Sequence, residues 1–261
     1  MKTIAICNLK GGVAKTTTTV NVAAILAQEH HKRVLVIDAD SQANATHFFH
    51  VSAKATLSDL LRIPSRERTH ISVQVQAALM LQQTAFPLLQ VLPADNSLMD
   101  LDLSKVERDD VFTGCIKMLT ENLASAYDYC LIDCPPAFNA ASTAALVAAD
   151  EVLIPVKLDA FALEGMANLM QQIYNMRSIN RKLVVRGLLP VMWYRDDKII
   201  EAEQTLRKST LTVFRHIRMT PKVDLMTWAQ EPLIISSPRS GACRDYRRLV
   251  GDLLGGGVGN D

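Results

Sequence analysis

Short apolar runs recur along the chain and alternate with stretches of helical periodicity. The runs occupy residues 2–8, 33–38, 88–92, 129–133, 151–156 and 184–190. A strand that is apolar at nearly every position is covered on both faces, and helices between successive strands imply right-handed crossovers. The pattern therefore predicts a single α/β domain, with a mostly parallel twisted sheet and helices on both faces.

The helical stretches between these runs set the extent of the predicted domain. They occupy residues 14–28, 56–61, 111–126, 142–148, 163–179 and 199–206. Residues 62–81 are the least patterned part of the chain, and we expect them to contain an exposed loop. The tail, residues 255–261, holds four of the 11 glycines. We expect this tail to be disordered and the domain to span residues 1–254.

Composition excludes several classes of protein. Hydrophobic residues make up 49% of the chain and charged residues 21%, which is typical of a folded domain and excludes a disordered chain. No 18-residue window is wholly apolar, which excludes a transmembrane helix, and the N-terminus lacks a signal-peptide cleavage pattern. The five cysteines form no CxxC pair. They argue against a disulfide framework or a zinc ribbon and indicate a reducing compartment, the cytoplasm.

The most informative segment lies between the first strand and the first helix. Residues 8–17 read NLKGGVAKTT. Gly11 and Gly12 let successive backbone N–H groups wrap around a phosphate, Lys15 can reach its outer oxygens, and Thr16 supplies a hydroxyl for Mg²⁺. A helix that begins here points its positive end at the anion. The segment therefore predicts a P-loop.

This loop carries an early lysine, and KGGVAKTT from Lys10 onward resembles the variant P-loop of the ParA/MinD family of dimerising ATPases. Residues 36–46 and 128–142 resemble the family's two switch regions, the second with its Walker B strand. Residues 148–169 and 231–249 are similar to later segments of the partition ATPases. Because five blocks follow in the family's order, the chain is identified as a member of its ParA group.

The resemblance implies ATP and Mg²⁺ as cofactors and assigns roles to residues. Lys10 would cross a dimer interface to the partner's nucleotide, and Asp40 would position the attacking water. Asp38 would lie near the metal with Thr16, and Asp133 would hold Mg²⁺ through water. Each of these three carboxylates could instead cap the turn that follows it. The predicted nucleotide site comprises Lys10, Gly11, Gly12, Val13, Ala14, Lys15, Thr16, Thr17, Thr220 and Pro221.

Two departures from the family pattern bear on nucleotide binding. Ala14 replaces the usual glycine before the P-loop lysine. We expect Ala14 to be the first helical residue, where alanine costs nothing; the alternative is a positive φ that would weaken nucleotide binding. Around residues 217–229, a gapless alignment places Thr220 at the family's asparagine near the adenine and Lys222 at an arginine. The sequence therefore does not identify the residue that contacts the adenine base.

The C-terminal third of the chain is basic. Residues 177–248 contain 15 Lys/Arg and 7 Asp/Glu, although the net charge of the chain is only +1. This excess points to a polyanionic partner, and the alternative is a solvated surface. Partition ATPases bind non-specific DNA through basic residues in this region. The candidates are Arg195, Lys198, Arg215, Arg218, Lys222, Arg244 and Arg247.

The resemblance as a whole implies a partition ATPase whose ATP-bound homodimer coats nucleoid DNA. A ParB-like, cargo-bound protein would stimulate hydrolysis to segregate a plasmid or chromosome. Because the first strand begins at residue 2, we expect no N-terminal helix-turn-helix domain. The alternatives are a nucleotide-switch adaptor and a MinD-like membrane ATPase, although the tail lacks the apolar face that membrane binding needs. Cluster binding by Cys134, as in the nitrogenase iron protein, is a further alternative.

Overall fold

The computed structural model describes residues 1–52, 54–63, 67, 69–101, 111–159 and 162–255. The strands of these residues form one sheet in the order β3-β4-β2-β5-β1-β6-β7, in which only β3 is antiparallel to its neighbour. They are β1 Lys2–Ile6, β2 Val34–Asp38, β3 Gln82–Gln83, β4 Leu89–Leu92, β5 Tyr129–Asp133, β6 Glu151–Lys157 and β7 Val184–Val191. This sheet confirms the predicted fold class.

Helices cover both faces of the sheet. They are α1 Lys15–Gln28, α2 Asn44–Phe48, α3 Leu57–Leu61, α4 His70–Met80, α5 Val111–Asn122, α6 Ala140–Ala148, α7 Ala162–Met176, α8 Asp197–Arg207, α9 Pro221–Ala229, α10 Leu233–Ser236 and α11 Gly241–Leu253. A 3₁₀ turn spans Asn96–Asp100. The apolar side chains fall into two clusters, one of which holds α1, α10 and α11, while the other holds α3 to α6.

The central strand β1 shows why the apolar runs form buried strands. Ile4 and Ile6 point into one core cluster, whereas Ala5 and Cys7 point into the other. Side chains alternate across a strand, so a strand with helices on both sides needs apolar residues at every position. Strand β2 is buried along its whole length for the same reason.

Residues 62–81, which we expect to contain an exposed loop, also contain a helix that the sequence did not indicate. Helix α4 occupies most of that stretch, and the Thr69 side chain accepts a hydrogen bond from the Ser72 amide at its start. Val73 and Met80 lie on its buried face. Its outer face is apolar as well, and this removes the polar–apolar contrast by which an amphipathic helix is recognised in a sequence. The exposed apolar residues are Ile71, Val75 and Leu79.

Two further features concern the ends and the surface of the domain. Residues 256–261 of the predicted disordered tail lie outside the described residues. No helix of the described part is both long enough and apolar enough to cross a membrane.

The topology brings three chain segments to one edge of the sheet. Strand β1 lies between β5 and β6, and its last residue, Ile6, is the register partner of Asp133. Asp38 at the end of β2 is also a register partner of Asp133. Ligands of parallel α/β sheets bind outside the carboxyl ends of the strands, where the strand order reverses. The loop after β1 therefore begins beside Asp133, which separates it from Asp38.

Gly187 in β7 gives a test of this packing. Its φ is +158°, and a Cβ there would lie 2.7 Å from Phe214 Cε2 and 2.8 Å from the Thr212 carbonyl oxygen. We expect Gly187→Ala to lower the free energy of unfolding by about 2–3 kcal/mol in urea denaturation. Gly251→Ala in α11 is the matched control, because a Cβ there meets nothing within 4 Å. Equal stability of the two variants would contradict the close approach.

Candidate functional site

The loop between β1 and α1 wraps around an open cavity. Gly12 has a φ of +69°, in the region that favours glycine. The cavity has a volume of about 340 Å³ and is lined by residues 11–17 together with Asp40, Pro136 and Met192. The free N–H groups of the first turn of α1 face an anion that enters it, because the positive end of the helix dipole lies there. The predicted P-loop residues are thus assembled in one place.

Ala14 does not have the helical conformation that the sequence suggested. It is the N-cap of α1, with φ 58° and ψ 33°, which is the left-handed region. The first helical residue is Lys15, and the Thr18 amide donates to the Ala14 carbonyl oxygen at 2.9 Å. A non-glycine residue in the left-handed region costs roughly 1–2 kcal/mol. The prediction failed because it placed the start of the helix one residue too early.

Lys15 is held inside the loop that it belongs to. Its Nζ donates to the Lys10 carbonyl oxygen at 3.0 Å, and only 7% of the residue is exposed. Burial lowers the pKa of Lys15, and the charge of Asp133 opposes this shift. An ammonium group that has lost most of its water gains strongly from an anionic ligand.

Lys10 points away from the cavity and forms an ion pair with Asp159, two residues after β6. Its Nζ lies 2.7 Å from Asp159 Oδ1 and 2.5 Å from Oδ2. Both side chains are about one-third exposed. The sequence interpretation did not identify Asp159, and nothing in the local sequence indicates that this residue contacts a lysine 149 positions earlier.

The hydroxyl side of the loop contacts the end of β5. Thr16 Oγ1 donates to Asp133 Oδ2 at 2.6 Å, and Thr19 Oγ1 donates to Asp133 Oδ1 at 3.1 Å. Asp133 is fully buried. Burial raises its pKa to about 8, the neighbouring Asp38 adds to the shift, and the two threonine hydroxyls oppose it. The structure therefore brings Thr16 and Asp133 together as predicted.

Asp38 and Asp40 occupy different environments although they are two residues apart. Asp38 is fully buried and accepts hydrogen bonds from the amide and hydroxyl of Thr46, at 2.8 and 2.7 Å, and from the Asp40 amide at 3.2 Å. Burial raises the pKa of Asp38 to about 6, and these hydrogen bonds oppose the shift. Asp40 lines the cavity and accepts from the Gln42 amide at 3.0 Å.

The donor set fits a hard cation that is held mainly by other ligands. Thr16, Asp133 and Asp38 offer oxygen atoms, which Mg²⁺ prefers. Within the described residues, no three His, Cys, Asp or Glu side chains converge as a metal cage. Mg²⁺ commonly binds through one or two protein oxygens, with phosphates and waters as its other ligands. The arrangement thus suits Mg²⁺ bound together with a nucleotide.

A second, more apolar pocket of about 240 Å³ adjoins the loop. Ala14 and Thr17 line one side, and Thr220 and Pro221 line the other. Thr220 is the N-cap of α9, where its side chain accepts from the Lys222 amide at 3.3 Å. An apolar cleft beside a phosphate loop can hold a nucleoside base. The lining residues that the sequence interpretation missed are Val191, Met192, Ile217, Met219, Val223, Asp224 and Tyr246.

The seven basic candidates differ in their surroundings. Arg218 forms a bidentate pair with Asp245, with two contacts of 2.8 Å, and Arg247 pairs with Glu29 at 2.6 Å. Arg215 is half-buried. The remaining four are exposed and form no ion pair with another described residue: Arg195, Lys198, Lys222 and Arg244.

Two cysteines lie beneath the loop. Cys7 follows β1, Cys134 follows β5, and both are buried. The neighbouring Cys134 thiol lowers the pKa of the Cys7 thiol, burial opposes this shift, and the charge of Lys15 adds to it. The Cys7 thiol and burial raise the pKa of Cys134, whose Sγ donates to the Ile132 carbonyl oxygen at 3.8 Å.

Comparisons with known proteins agree with this geometry. A family model described as an AAA domain matches residues 1–185. The chain is 33% identical over 205 residues to the chromosome partitioning protein ParA of Caulobacter vibrioides, which covers 77% of this chain and 73% of the relative. It is 30% identical over 264 residues to the sporulation initiation inhibitor protein Soj of Bacillus subtilis, in an alignment that covers 98% of this chain and 99% of the relative. A McdA variant from Cyanothece, solved as an ATP complex, has a TM-score of 0.81 at 24% identity and covers 98% of this chain and 96% of that one.

The backbone at Ala14 gives a test of the loop geometry. We expect Ala14→Gly to raise the free energy of unfolding by about 1 kcal/mol, because glycine adopts the left-handed conformation without steric cost. Urea denaturation of the nucleotide-free protein measures the effect. Ala24→Gly, inside α1, is the control, and we expect it to lower stability by about 1 kcal/mol or more. A loss of stability in both variants would mean that Ala14 is helical.

Proposed function

Because the chain belongs to the ParA family of P-loop ATPases, we propose that it is a partition ATPase that hydrolyses ATP and binds DNA without sequence preference as an ATP-bound dimer. The observation that carries this proposal is the 2.6 Å contact between Thr16 and Asp133 at the mouth of the loop. It joins the hydroxyl and the carboxylate that P-loop ATPases use around the metal ion. The relatives that are named for partitioning and the ATP complex of McdA support the same conclusion.

We assign nucleotide binding to the loop and to the apolar pocket beside it. The backbone N–H groups of residues 11–17 would surround the phosphates, with Lys15 at the β- and γ-phosphates and Thr17 at the α-phosphate. The base would enter the pocket between Ala14 and Thr220. Since the two cavities share residues 14 and 17, one nucleotide can occupy both.

Hydrolysis would rest on positioning and on charge neutralisation. Thr16 and Asp133, with Asp38 behind Asp133, would hold Mg²⁺, which offsets the charge of the phosphates when it is bound. Asp40 is the carboxylate that reaches the cavity, and we assign to it the positioning of the attacking water. Lys15 would stabilise the charge that develops on the transferred phosphoryl group.

We assign the contact across the dimer to Lys10. Its ion pair with Asp159 holds the ammonium away from its own cavity. In a dimer that sandwiches two nucleotides, Lys10 would exchange this carboxylate for the partner's phosphates. The two states of Lys10 would couple nucleotide binding to dimerisation.

DNA binding is best assigned to the four exposed basic residues defined above. Arg218 and Arg247 are engaged by carboxylates, so they would have to break an ion pair to contact phosphates. A protein that contacts only phosphates reads no sequence and loses affinity steeply with salt. Such binding would place the protein on the nucleoid. We propose a ParB-like, cargo-bound protein as the partner that stimulates hydrolysis.

DNA binding tests the proposed function. Non-specific duplex DNA is titrated with ATP, with ADP and without nucleotide, at several salt concentrations. We expect salt-sensitive binding with ATP alone, and Lys15→Ala should abolish it because the loop loses its phosphate contact. Changing Arg195, Lys198, Lys222 and Arg244 to Gln should lower the salt dependence, by about 0.9 per lost phosphate contact.

The matched control removes four exposed charges elsewhere. Lys117, Arg177, Arg181 and Lys182 lie on α5 and beyond α7, at the amino-end edge of the sheet, and their change to Gln should leave the salt dependence unaltered. If the protein dimerises with ATP but binds DNA in no nucleotide state, a nucleotide-switch adaptor replaces the partition ATPase as the function.

The Lys10–Asp159 ion pair gives a separate prediction for dimerisation. We expect Asp159→Asn to lower the apparent dissociation constant of the ATP-bound dimer by up to about thirtyfold, since the dimer breaks two of these partly exposed ion pairs and each contributes at most ~1 kcal/mol. Analytical ultracentrifugation with ATP measures this change. Asp128→Asn should leave dimerisation unchanged. It removes the 2.8 Å ion pair with Arg33, which lies at the amino ends of the strands, away from the loop. A weaker dimer in Asp159→Asn would show that the pair does not hold Lys10 back.

A further inference from the structure

Cys7 and Cys134 occupy a position that the ATPase mechanism does not explain. Ile6 and Asp133 are register partners in neighbouring parallel strands, and each cysteine is the next residue of its strand. The Cys134 amide donates to the Ile6 carbonyl oxygen at 3.2 Å, so the pairing of the two chains continues to this point. The two cysteines are therefore neighbours across the strand ends.

Their side chains lie on the same face of the sheet. Both belong to the same core cluster, and the Cys134 thiol donates to the Ile132 carbonyl oxygen at 3.8 Å. Neighbouring strands lie about 4.7–4.9 Å apart, and disulfides join Cα atoms that are about 4.4–6.8 Å apart. A bond between the two sulfur atoms is therefore within reach of the backbone as it stands.

The other cysteines do not offer such a pair. Cys115 hydrogen-bonds to the Leu60 carbonyl oxygen, and Cys243 lies in the core cluster on the opposite face of the sheet. Cys130 is in the middle of β5, and its register partners are Thr3 in β1 and Leu35 in β2. Within the described residues, only Cys7 and Cys134 are cysteines that lie side by side at neighbouring strand ends and in the same core cluster.

We propose that Cys7 and Cys134 are an oxidative modification site, where a disulfide forms and weakens nucleotide binding. Cys7 leads into the phosphate loop, and Cys134 directly follows Asp133. The sulfur atoms of a disulfide lie about 2.05 Å apart, well inside the contact distance of two unbonded sulfur atoms, so bond formation must move the start of the loop or the end of β5. Either movement shifts the loop relative to Asp133, the partner of Thr16.

The reaction is a thiol–disulfide exchange with a low-molecular-weight disulfide. The sulfur of one cysteine attacks the disulfide, and one thiolate leaves. The second cysteine then attacks the sulfur bound to the protein, which forms the Cys7–Cys134 bond and releases the second thiolate. The two protons of the cysteine thiols pass to the two thiolates. The protein loses two electrons and the small disulfide gains them.

Burial predicts how the nucleotide state controls this reaction. Cys7 is 0% and Cys134 1% exposed, so the oxidant reaches them only when the loop opens. A nucleotide bound to the loop stabilises its closed state. ATP should therefore slow disulfide formation, and the disulfide should in turn lower the affinity for ATP. The effect on affinity rests on the proposed nucleotide site, whereas formation of the bond does not.

The experiment uses the full chain and oxidised glutathione as the disulfide. Mass spectrometry of the intact protein and of its non-reduced peptides should show the loss of two hydrogens and a Cys7–Cys134 link. Binding of a fluorescent ATP analogue should fall at least tenfold after oxidation and return after dithiothreitol. ATP present during oxidation should slow the appearance of the link several-fold.

Variants separate this site from general oxidation. Cys134→Ser and Cys7→Ser should keep nucleotide binding after oxidation, and Cys243→Ser should lose it as the unmodified chain does. If one of the first two variants does not fold, the other and the peptide map still decide the outcome. Absence of the Cys7–Cys134 link overturns the site, and a link with unchanged affinity overturns the control of nucleotide binding. Failure of the reduced protein to bind ATP would instead count against the proposed function.

Discussion

Two buried carboxylates, Asp38 and Asp133, lie side by side at the carboxyl edge of the sheet, and the rest of the site compensates for their charge. Their positions follow from the register of β2 and β5. Removal from water raises the pKa of both, and the charge of Asp38 adds to the shift of Asp133. Hydroxyl and amide donors from α1 and α2 surround them. A cation next to these carboxylates would stabilise their charged forms, which burial disfavours.

The backbone of the loop contains an unfavourable conformation at Ala14. Ala14 adopts a conformation that glycine adopts freely, and this residue lines both the cavity in front of the loop and the apolar pocket beside it. Strain of this kind persists only where the surrounding structure determines the conformation. Here, the helix that begins at Lys15 and the glycines before Ala14 fix the path of the chain. Alanine therefore lowers the stability of the loop without changing its shape.

The sequence predicted the elements whose signal is local. The strands with apolar residues at every position were predicted correctly, because burial on both faces leaves one pattern in the sequence. Gly11 and Gly12 lie in the loop between β1 and α1 where the sequence predicted it, because the glycine pair interrupts both the apolar run and the helical pattern. The sequence could not show the partner of Lys10, because the contact with Asp159 spans 149 positions. It also could not show the conformation of Ala14, which depends on where the helix begins, or helix α4, whose two faces are both apolar.

The basic C-terminal third shows why a count of charges in the sequence does not identify the residues that can contact DNA. Charge counts treat all arginines alike, but Arg218 is fixed by Asp245, which itself is almost fully buried. A carboxylate in that position needs its guanidinium, because removal of one partner leaves an uncompensated buried charge. Arg218 therefore has a structural reason to be present that does not involve DNA. The net excess of charge in this region is real, but only its exposed members are available to a polyanion.

The polar side chains around the loop already have hydrogen-bond partners within the protein. Lys15 donates to a carbonyl oxygen, Lys10 to Asp159 and Thr16 to Asp133, so each of the three has a protein partner. A nucleotide with its metal ion would have to replace these partners, so its binding exchanges existing contacts for new ones. The free energy of binding is then the difference between two sets of contacts, and only part of each new contact appears as affinity. Such a site can keep its shape without ligand, and modest changes in the protein partners can shift the balance between its states.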